Sequence, residues 1–212
     1  MAAKNDGRLS LRERRQIRTR NDLIESALAA IARAGAEDLA AVTVDRILSE
    51  GGMARATLYS HFPGGREELL AAAYQQVAHQ FLDHAREYAG SRGIAGENWT
   101  LRIQAYAEAL LELAGDPGPG YFYNVSGPQL LGFSKERGIG SSGVFSAFRA
   151  ELELGAGQGQ IPVESVEPLA VLLAGSLRDA GIETALHPEK AGQLLSSFRF
   201  LVGRLAGCPV TT

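Results

Sequence analysis

The sequence predicts an all-α protein, and three observations carry that expectation. Apolar residues recur at spacings of three and four along most of the chain, the period of one helix face. Strict alternation of apolar with polar residues, which a half-buried strand requires, is nearly absent. Glycine and proline gather at a few places where helices would break: Gly51-Gly52, Pro63-Gly64-Gly65, and the stretch from Gly115 to Gly143.

Taken in order, a first helix is expected from Arg14 to Ala34, with Ile17, Ile24, Leu28 and Ile31 on one face and Gly35 as its end. Thr43 is a good N-cap for a short helix, Val44 to Glu50, with Asp45 in the first turn beside the positive helix end. Gly51-Gly52 ends it, and a second short helix follows from Ala54 to Ser60. A long helix starts at Arg66, carries Leu70, Tyr74, Val77 and Phe81, and ends near Gly90; Gly90 to Glu97 is a loop. Thr100 to Leu113 is the next helix, and broken helices are expected from Gly115 to Gly143. Ser142 to Leu154 is helical, Gly155 to Gln160 a turn, and two strong helices close the chain, Glu167 to Leu186 and Glu189 to Leu205. The expected division is a flexible basic arm (1–13), a small head (14–65), a larger helical domain (66–206) and a tail (207–212).

The composition is that of a globular protein: 45% hydrophobic and 21% charged residues. No apolar run approaches the roughly 18 residues of a membrane span, and the polar N-terminus lacks the apolar core of a secretory signal, so a cytoplasmic location and no membrane partner are expected. A single cysteine, Cys208, excludes an intrachain disulfide framework and a cysteine-based zinc site. The net charge of −3 hides an asymmetry, because residues 1–66 carry a balance of +3 and the remainder −6. Lys4, Arg8, Arg12, Arg14, Arg15, Arg18 and Arg20 face only Asp6 and Glu13 within the first 20 residues. Such a cationic arm either holds phosphates, releasing their counterions, or is a solvated tail.

The stretch Thr43 to Leu70 carries the sharpest pattern. Two short helices about a glycine turn are what a helix-turn-helix needs, the first bracing and the second laying its N-terminal residues on base edges in the major groove. Ile47, Leu48, Leu58 and Phe62 supply the apolar contacts between them. The outer side of the second helix offers Arg55, Thr57, Tyr59, Ser60 and His61, all able to hydrogen-bond DNA. Arginine grips a guanine edge with two donors, and the threonine methyl packs on thymine.

This stretch resembles the DNA-binding domain of the TetR family of bacterial transcription regulators. The likeness rests on Thr43-Val44, Ile47, Glu50-Gly51-Gly52-Met53, Arg55-Ala56-Thr57-Leu58-Tyr59, His61-Phe62-Pro63 and Arg66-Glu67-Glu68-Leu69. It spans residues 14–72, with the all-helical remainder agreeing in architecture. The resemblance implies that Thr43, Tyr59, His61 and Arg66 contact phosphates, and that Arg55, Thr57 and Ser60 lie nearest base edges. Three positions depart from the family pattern: Ala54 where a serine usually caps the recognition helix, Gly51 for the commoner alanine, and a turn lengthened by one residue at Gly64-Gly65.

In the larger domain, Leu194, Leu195, Phe198, Leu201, Val202 and Leu205 form one apolar stripe, and Leu169, Leu172, Leu173, Leu177 and Ile182 another. Each stripe can line a core or meet a second copy of the chain. The resemblance implies a homodimer built on these helices, for which Leu173, Leu177, Phe198, Leu201, Val202 and Leu205 are the candidates. Two copies would read a palindromic operator in double-stranded DNA. It also implies a pocket for a small-molecule effector, apolar or amphipathic, with Phe81, Tyr106, Leu110, Phe122, Phe145 and Phe148 as candidate walls, although aromatics at helical spacing equally make a core. The function expected is a dimeric repressor released from DNA by that ligand; an activator or architectural protein without ligand control is the alternative.

Gly138-Ile139-Gly140-Ser141-Ser142-Gly143 matches the glycine pattern of dinucleotide-binding enzymes, but no strand precedes it, so a flexible loop is expected. His79, Asp83 and His84 could suggest a metal, yet His84 points away from His79 on a helix. No catalytic constellation is visible. Neither enzymatic activity, nor a metal, nor a cofactor is expected.

Overall fold

The computed structural model describes residues 10–35, 38–91, 98–131 and 139–207, with side chains of the last segment from residue 142 onward. Lys4, Arg8, Phe133, Gly138, Cys208 and most of the 90–97 loop and the 207–212 tail lie outside them. Among the described residues every regular element is helical.

Helix α1, Leu11–Ala34, begins three residues earlier than expected. The reason is a capping box: the Glu13 N–H donates to Ser10 Oγ at 3.2 Å, and the Ser10 N–H donates to Glu13 Oε2 at 2.7 Å. Residues 11–13, expected as the end of a flexible arm, are therefore its first turn. Only the second half of α1 is buried, through Leu23, Ile24, Ala27, Ala30 and Ile31. Ile17, expected on that face, is exposed together with all of residues 11–18.

Helices α2, Val44–Gly51, and α3, Arg55–His61, pack on each other and over α1, which in turn packs on α4, Arg66–Ser91. Thr43 caps α2, its Oγ1 accepting from the Arg46 N–H at 3.3 Å. Gly52 closes α2 at φ 62°, a left-handed conformation that penalises a side chain. Ile47, Leu48, Leu58, Phe62, Leu69 and Leu70 are buried between these helices. The Arg33–Glu50 ion pair, 3.2 Å, ties α1 to α2, and the Arg20 guanidinium lies 4.8 Å over the Phe62 ring.

Helix α4 leaves this head and runs into the body, packing on α1 at one end and on α5, Trp99–Ala114, and α8, Ile139–Gly157, at the other. The glycine-rich middle is broken as expected, into α6, Pro119–Tyr121, a π-wound turn, Phe122–Ser126, and α7, Gly127–Leu131. Two expectations are corrected. The part of the glycine pattern that is described, Ile139 to Gly143, opens α8 rather than forming a loop, and α8 continues into the expected turn as far as Gly157, leaving Gln158 to Gln160 as the turn. The run after it explains why: buried Trp99 donates from Nε1 to Gln160 Oε1 at 2.7 Å, fixing the helix end against α5. Helices α9, Val166–Leu186, and α10, Ala191–Ala206, complete the body. Partly buried ion pairs join α5 to its neighbours, Arg102–Glu151 to α8 and Arg199–Glu108 to α10, each at 2.6 Å.

Candidate nucleic-acid interface

The face is built outward from the Ile47–Leu58–Phe62 core. Because Leu58 and Phe62 are fully buried, helical geometry turns Arg55, Tyr59 and Ser60 to solvent, with Thr57 and His61 at the margin. Ala54 occupies the N-cap of α3 in extended conformation, and no side-chain hydrogen bond caps this helix, as its alanine dictates.

Each polar group has a definite remaining capacity. Thr43 Oγ1 accepts from Arg46 but keeps its own proton to donate. The Ser60 hydroxyl donates to the Thr57 carbonyl at 2.8 Å, leaving its lone pairs to accept. Arg55 Nη2 meets Asp45 Oδ1 at 2.5 Å, and this hydrogen bond and the carboxylate charge push the guanidinium above its ordinary pKa, with a smaller contribution from Tyr59. The Tyr59 ring lies over Gly65, where a Cβ would stand 3.3 Å from Cε1; that residue also takes φ 69°. The lengthened Gly64-Gly65 turn thus makes the seat of the tyrosine. Gly51, the other glycine departure, faces Ser26 Oγ and Met53 Cε, which fill the space an alanine methyl would occupy.

Arg66 stands apart from this group. Its Nε donates to the Val42 carbonyl at 2.7 Å and its Nη2 to that of Leu39, so the guanidinium is turned inward to hold the segment that leads into α2. The contact with a phosphate that the family pattern implies would require it to leave those carbonyls. Glu68 caps the same turn, accepting from the Gly64 N–H at 2.8 Å.

Residues absent from the predicted site come from α1. Leu11, Arg12, Arg15, Gln16 and Thr19 form, with His61, an open groove of about 440 Å³. Arg12, Arg14, Arg15 and Arg18 are exposed on the same stretch of helix. The sequence signal was the Ser10-x-x-Glu13 box, which makes this stretch helical and brings it beside the end of α3.

In the body, Phe81, Tyr106, Leu110, Phe122 and Phe148 are buried and Phe145 is half-buried. Tyr74 stacks on Tyr123 at 5.4 Å, Tyr123 meets Phe81 at 6.0 Å, and Tyr106 meets Phe148 edge-on at 6.1 Å. Burial raises the phenol pKa of Tyr74, Tyr106 and Tyr123. Of the six candidate wall residues, Tyr106 borders an open cleft of about 400 Å³, with Arg86, Ser142, Gly143, Ser146 and Ala147. Two buried hydroxyls, Ser126 Oγ and Thr184 Oγ1, have no hydrogen-bond partner among the described residues.

Four of the six dimer candidates, Leu173, Leu177, Phe198 and Val202, are buried within the single chain, and Leu205 is half-buried. They are core because α9 and α10 turn their more regular stripe onto α5 and α8. Leu201 remains outside, joined by Leu172, Val171 and Phe200. Among the described residues no three His, Cys, Asp or Glu side chains gather as a metal site would need, and no helix is long and apolar enough to cross a membrane. Asp83 pairs with Arg86 at 3.0 Å.

The fold and this face define an all-helical protein with a helix-turn-helix head on a larger helical body. Residues 23–73 match the family model described as bacterial regulatory proteins, tetR family. A TetR-family transcriptional regulator from Pectobacterium atrosepticum is similar over 93% of this chain and 97% of its own, at 20% identity and a TM-score of 0.72. The fatty acid degradation regulator FadR from Bacillus halodurans is similar over 89% and 98%, at 17% identity and a TM-score of 0.64. RolR in complex with resorcinol is similar over 94% and 98%, at 19% identity and a TM-score of 0.57. A search of curated proteins gives no match. Residues 23–73 are thus similar to the DNA-binding region of the TetR family, and over 93% of the chain the fold is similar to that of a solved TetR-family regulator.

Proposed function

We propose that the chain is a sequence-specific DNA-binding transcriptional regulator, acting as a dimeric repressor that a small molecule releases from its operator. The observation that carries the DNA reading is the polar outer edge of α3, Arg55 to His61, held rigidly by buried Leu58 and Phe62. Arg55, Thr57 and Ser60 would face base edges, while Thr43, Tyr59 and His61 would hold the backbone. The groove between α1 and His61 adds Arg12 and Arg15 to the phosphate contacts. No catalytic step is part of this reading.

The dimer is proposed on α9 and α10. Leu172 is 66% exposed, Phe200 64% and Leu201 45%, on adjacent helices, an apolar surface that a second copy would cover. The relative orientation of two α3 helices would then be set by these helices through α4.

The effector reading rests on the body's aromatic interior, its two unpartnered hydroxyls, and the cleft at Tyr106. That cleft has the size of small-ligand sites, which run from about 300 Å³ upward. An apolar or amphipathic molecule entering there would part Tyr106 from Phe148 and displace α4 against α8. It could shift the DNA-competent state only by its difference in affinity for the two states.

Selection of duplexes from a randomised pool tests the DNA reading. Recovery of a consensus bound far more tightly than unrelated duplex supports it; binding that ignores sequence at moderate ionic strength rejects it. The ligand reading is tested by a thermal-shift panel of small metabolites followed by release from that consensus, and stabilisation without release would leave a regulator not switched by that ligand.

A further inference from the structure

The Arg55–Asp45 contact has no evident structural purpose. Both side chains are solvated, 57% and 79% exposed, and an ion pair of that kind contributes little to stability. It also joins two helices already fixed by buried Ile47, Leu48 and Leu58. Its consequence is orientation. A solvated arginine samples many rotamers, whereas here one nitrogen is held 2.5 Å from a carboxylate in the first turn of α2. The guanidinium has five N–H donors; Asp45 takes one and Tyr59 interacts more weakly, which leaves other donors for a base edge. Guanine, with its adjacent O6 and N7 acceptors, can accept two of them; adenine and cytosine present a donor amino group at that edge. Asp45 itself is a negative charge on a surface that approaches phosphates, and so opposes indiscriminate binding.

From this geometry, and resting on the DNA-binding reading of α3, we infer that Asp45 is a specificity-determining positioning residue that aims Arg55 at a guanine. Removing its charge has two consequences of opposite sign. Non-specific duplex binding strengthens, because a repulsive carboxylate is gone. Selectivity falls, because Arg55 is free to reach any nearby acceptor, phosphate oxygens included.

The test measures affinity for the selected consensus duplex, for the same duplex with 7-deazaguanine at the guanine nearest Arg55, and for an unrelated duplex. For Asp45→Asn the expected result is a few-fold tighter grip on the unrelated duplex. The ratio of consensus to unrelated affinity should fall about tenfold, the scale of one two-donor guanine contact. The penalty for 7-deazaguanine should shrink with it. In an Arg55→Ala background Asp45→Asn should leave the ratio unchanged, since the pair acts as a unit. Asp45→Glu, which keeps the charge and the helix-end interaction but displaces the carboxylate, should hold unrelated binding low while losing selectivity, and serves if the amide variant folds poorly. An unchanged ratio in both variants, or a ratio that rises, overturns the inference while leaving the DNA reading intact. A wild-type chain with no selectivity overturns both.

Discussion

Arg66 and Ala54 show how single side chains set the quality of the head. Arg66 supplies donors to two carbonyls, Val42 and Leu39, in the segment before α2. Arg66→Ala should lower stability by about 1–3 kcal/mol, read from denaturant unfolding, because both acceptors are left without their donor. Arg66→Lys should recover only part of that, since an ammonium cannot fork to both; full recovery would mean that charge alone matters there. Ala54 leaves the α3 N-terminus without a side-chain cap. Ala54→Ser should therefore stabilise the protein by about 1 kcal/mol in the same assay, and no gain would show that the N–H groups already have partners. The direction of Arg66 was not legible in the sequence. The residue type and position matched a phosphate contact, but its inward turn depends on where the Val42 and Leu39 carbonyls come to lie, 24 and 27 residues earlier in the chain.

Among the elements, α1 differs most from its expected extent, because its first turn falls in the stretch expected as a flexible arm. Its first turns are bare of packing yet locked by the Ser10–Glu13 box. Hydrogen bonds from Ser10 lower the Glu13 pKa below its ordinary value. A depressed carboxylate stabilises the folded turn above the unfolded pKa, and that contribution disappears as pH falls through the folded value. Amide protection at the start of α1, taken relative to the intrinsic exchange rate at each pH, should accordingly fall below the ordinary carboxylate range, and Glu13→Gln should flatten that dependence. Arg12→Ala with Arg15→Ala should weaken all duplexes alike and lower the slope of log affinity against log salt by about 1 for each phosphate no longer neutralised. A change in sequence preference instead would place these arginines on bases. The helix-turn-helix pair was legible almost to the residue, because Thr43, the Gly51-Gly52 break and the Leu58–Phe62 spacing are local signals. The dimer face was less so. Apolar periodicity identifies the inner side of α9 and α10, and Leu173 and Phe198 belong to it; Leu172 shares that stripe in sequence yet stands exposed at its edge, and the exposed Phe200 falls between the periods.

At the scale of the whole molecule, the proposed reading of a palindromic site requires paired heads. Leu172→Asp combined with Phe200→Asp, both exposed and off the core, should convert a dimer to monomers in sedimentation while leaving the helical spectrum unchanged. A wild-type chain that sediments as a monomer at all concentrations would remove the interface. The body's fold was legible as helices, but not its packing, since Trp99 meeting Gln160 or Arg199 meeting Glu108 joins residues far apart in sequence. Entry of α3 into the major groove is the step on which every functional reading depends. Methylation interference at guanine N7 tests it most directly, because N7 projects only into that groove. Binding should be blocked when guanines are methylated in two half-sites about one helical turn, or a multiple of it, apart, with the effect at one guanine per half-site abolished in Arg55→Ala. Sequence-selective binding that no major-groove methylation disturbs would contradict it.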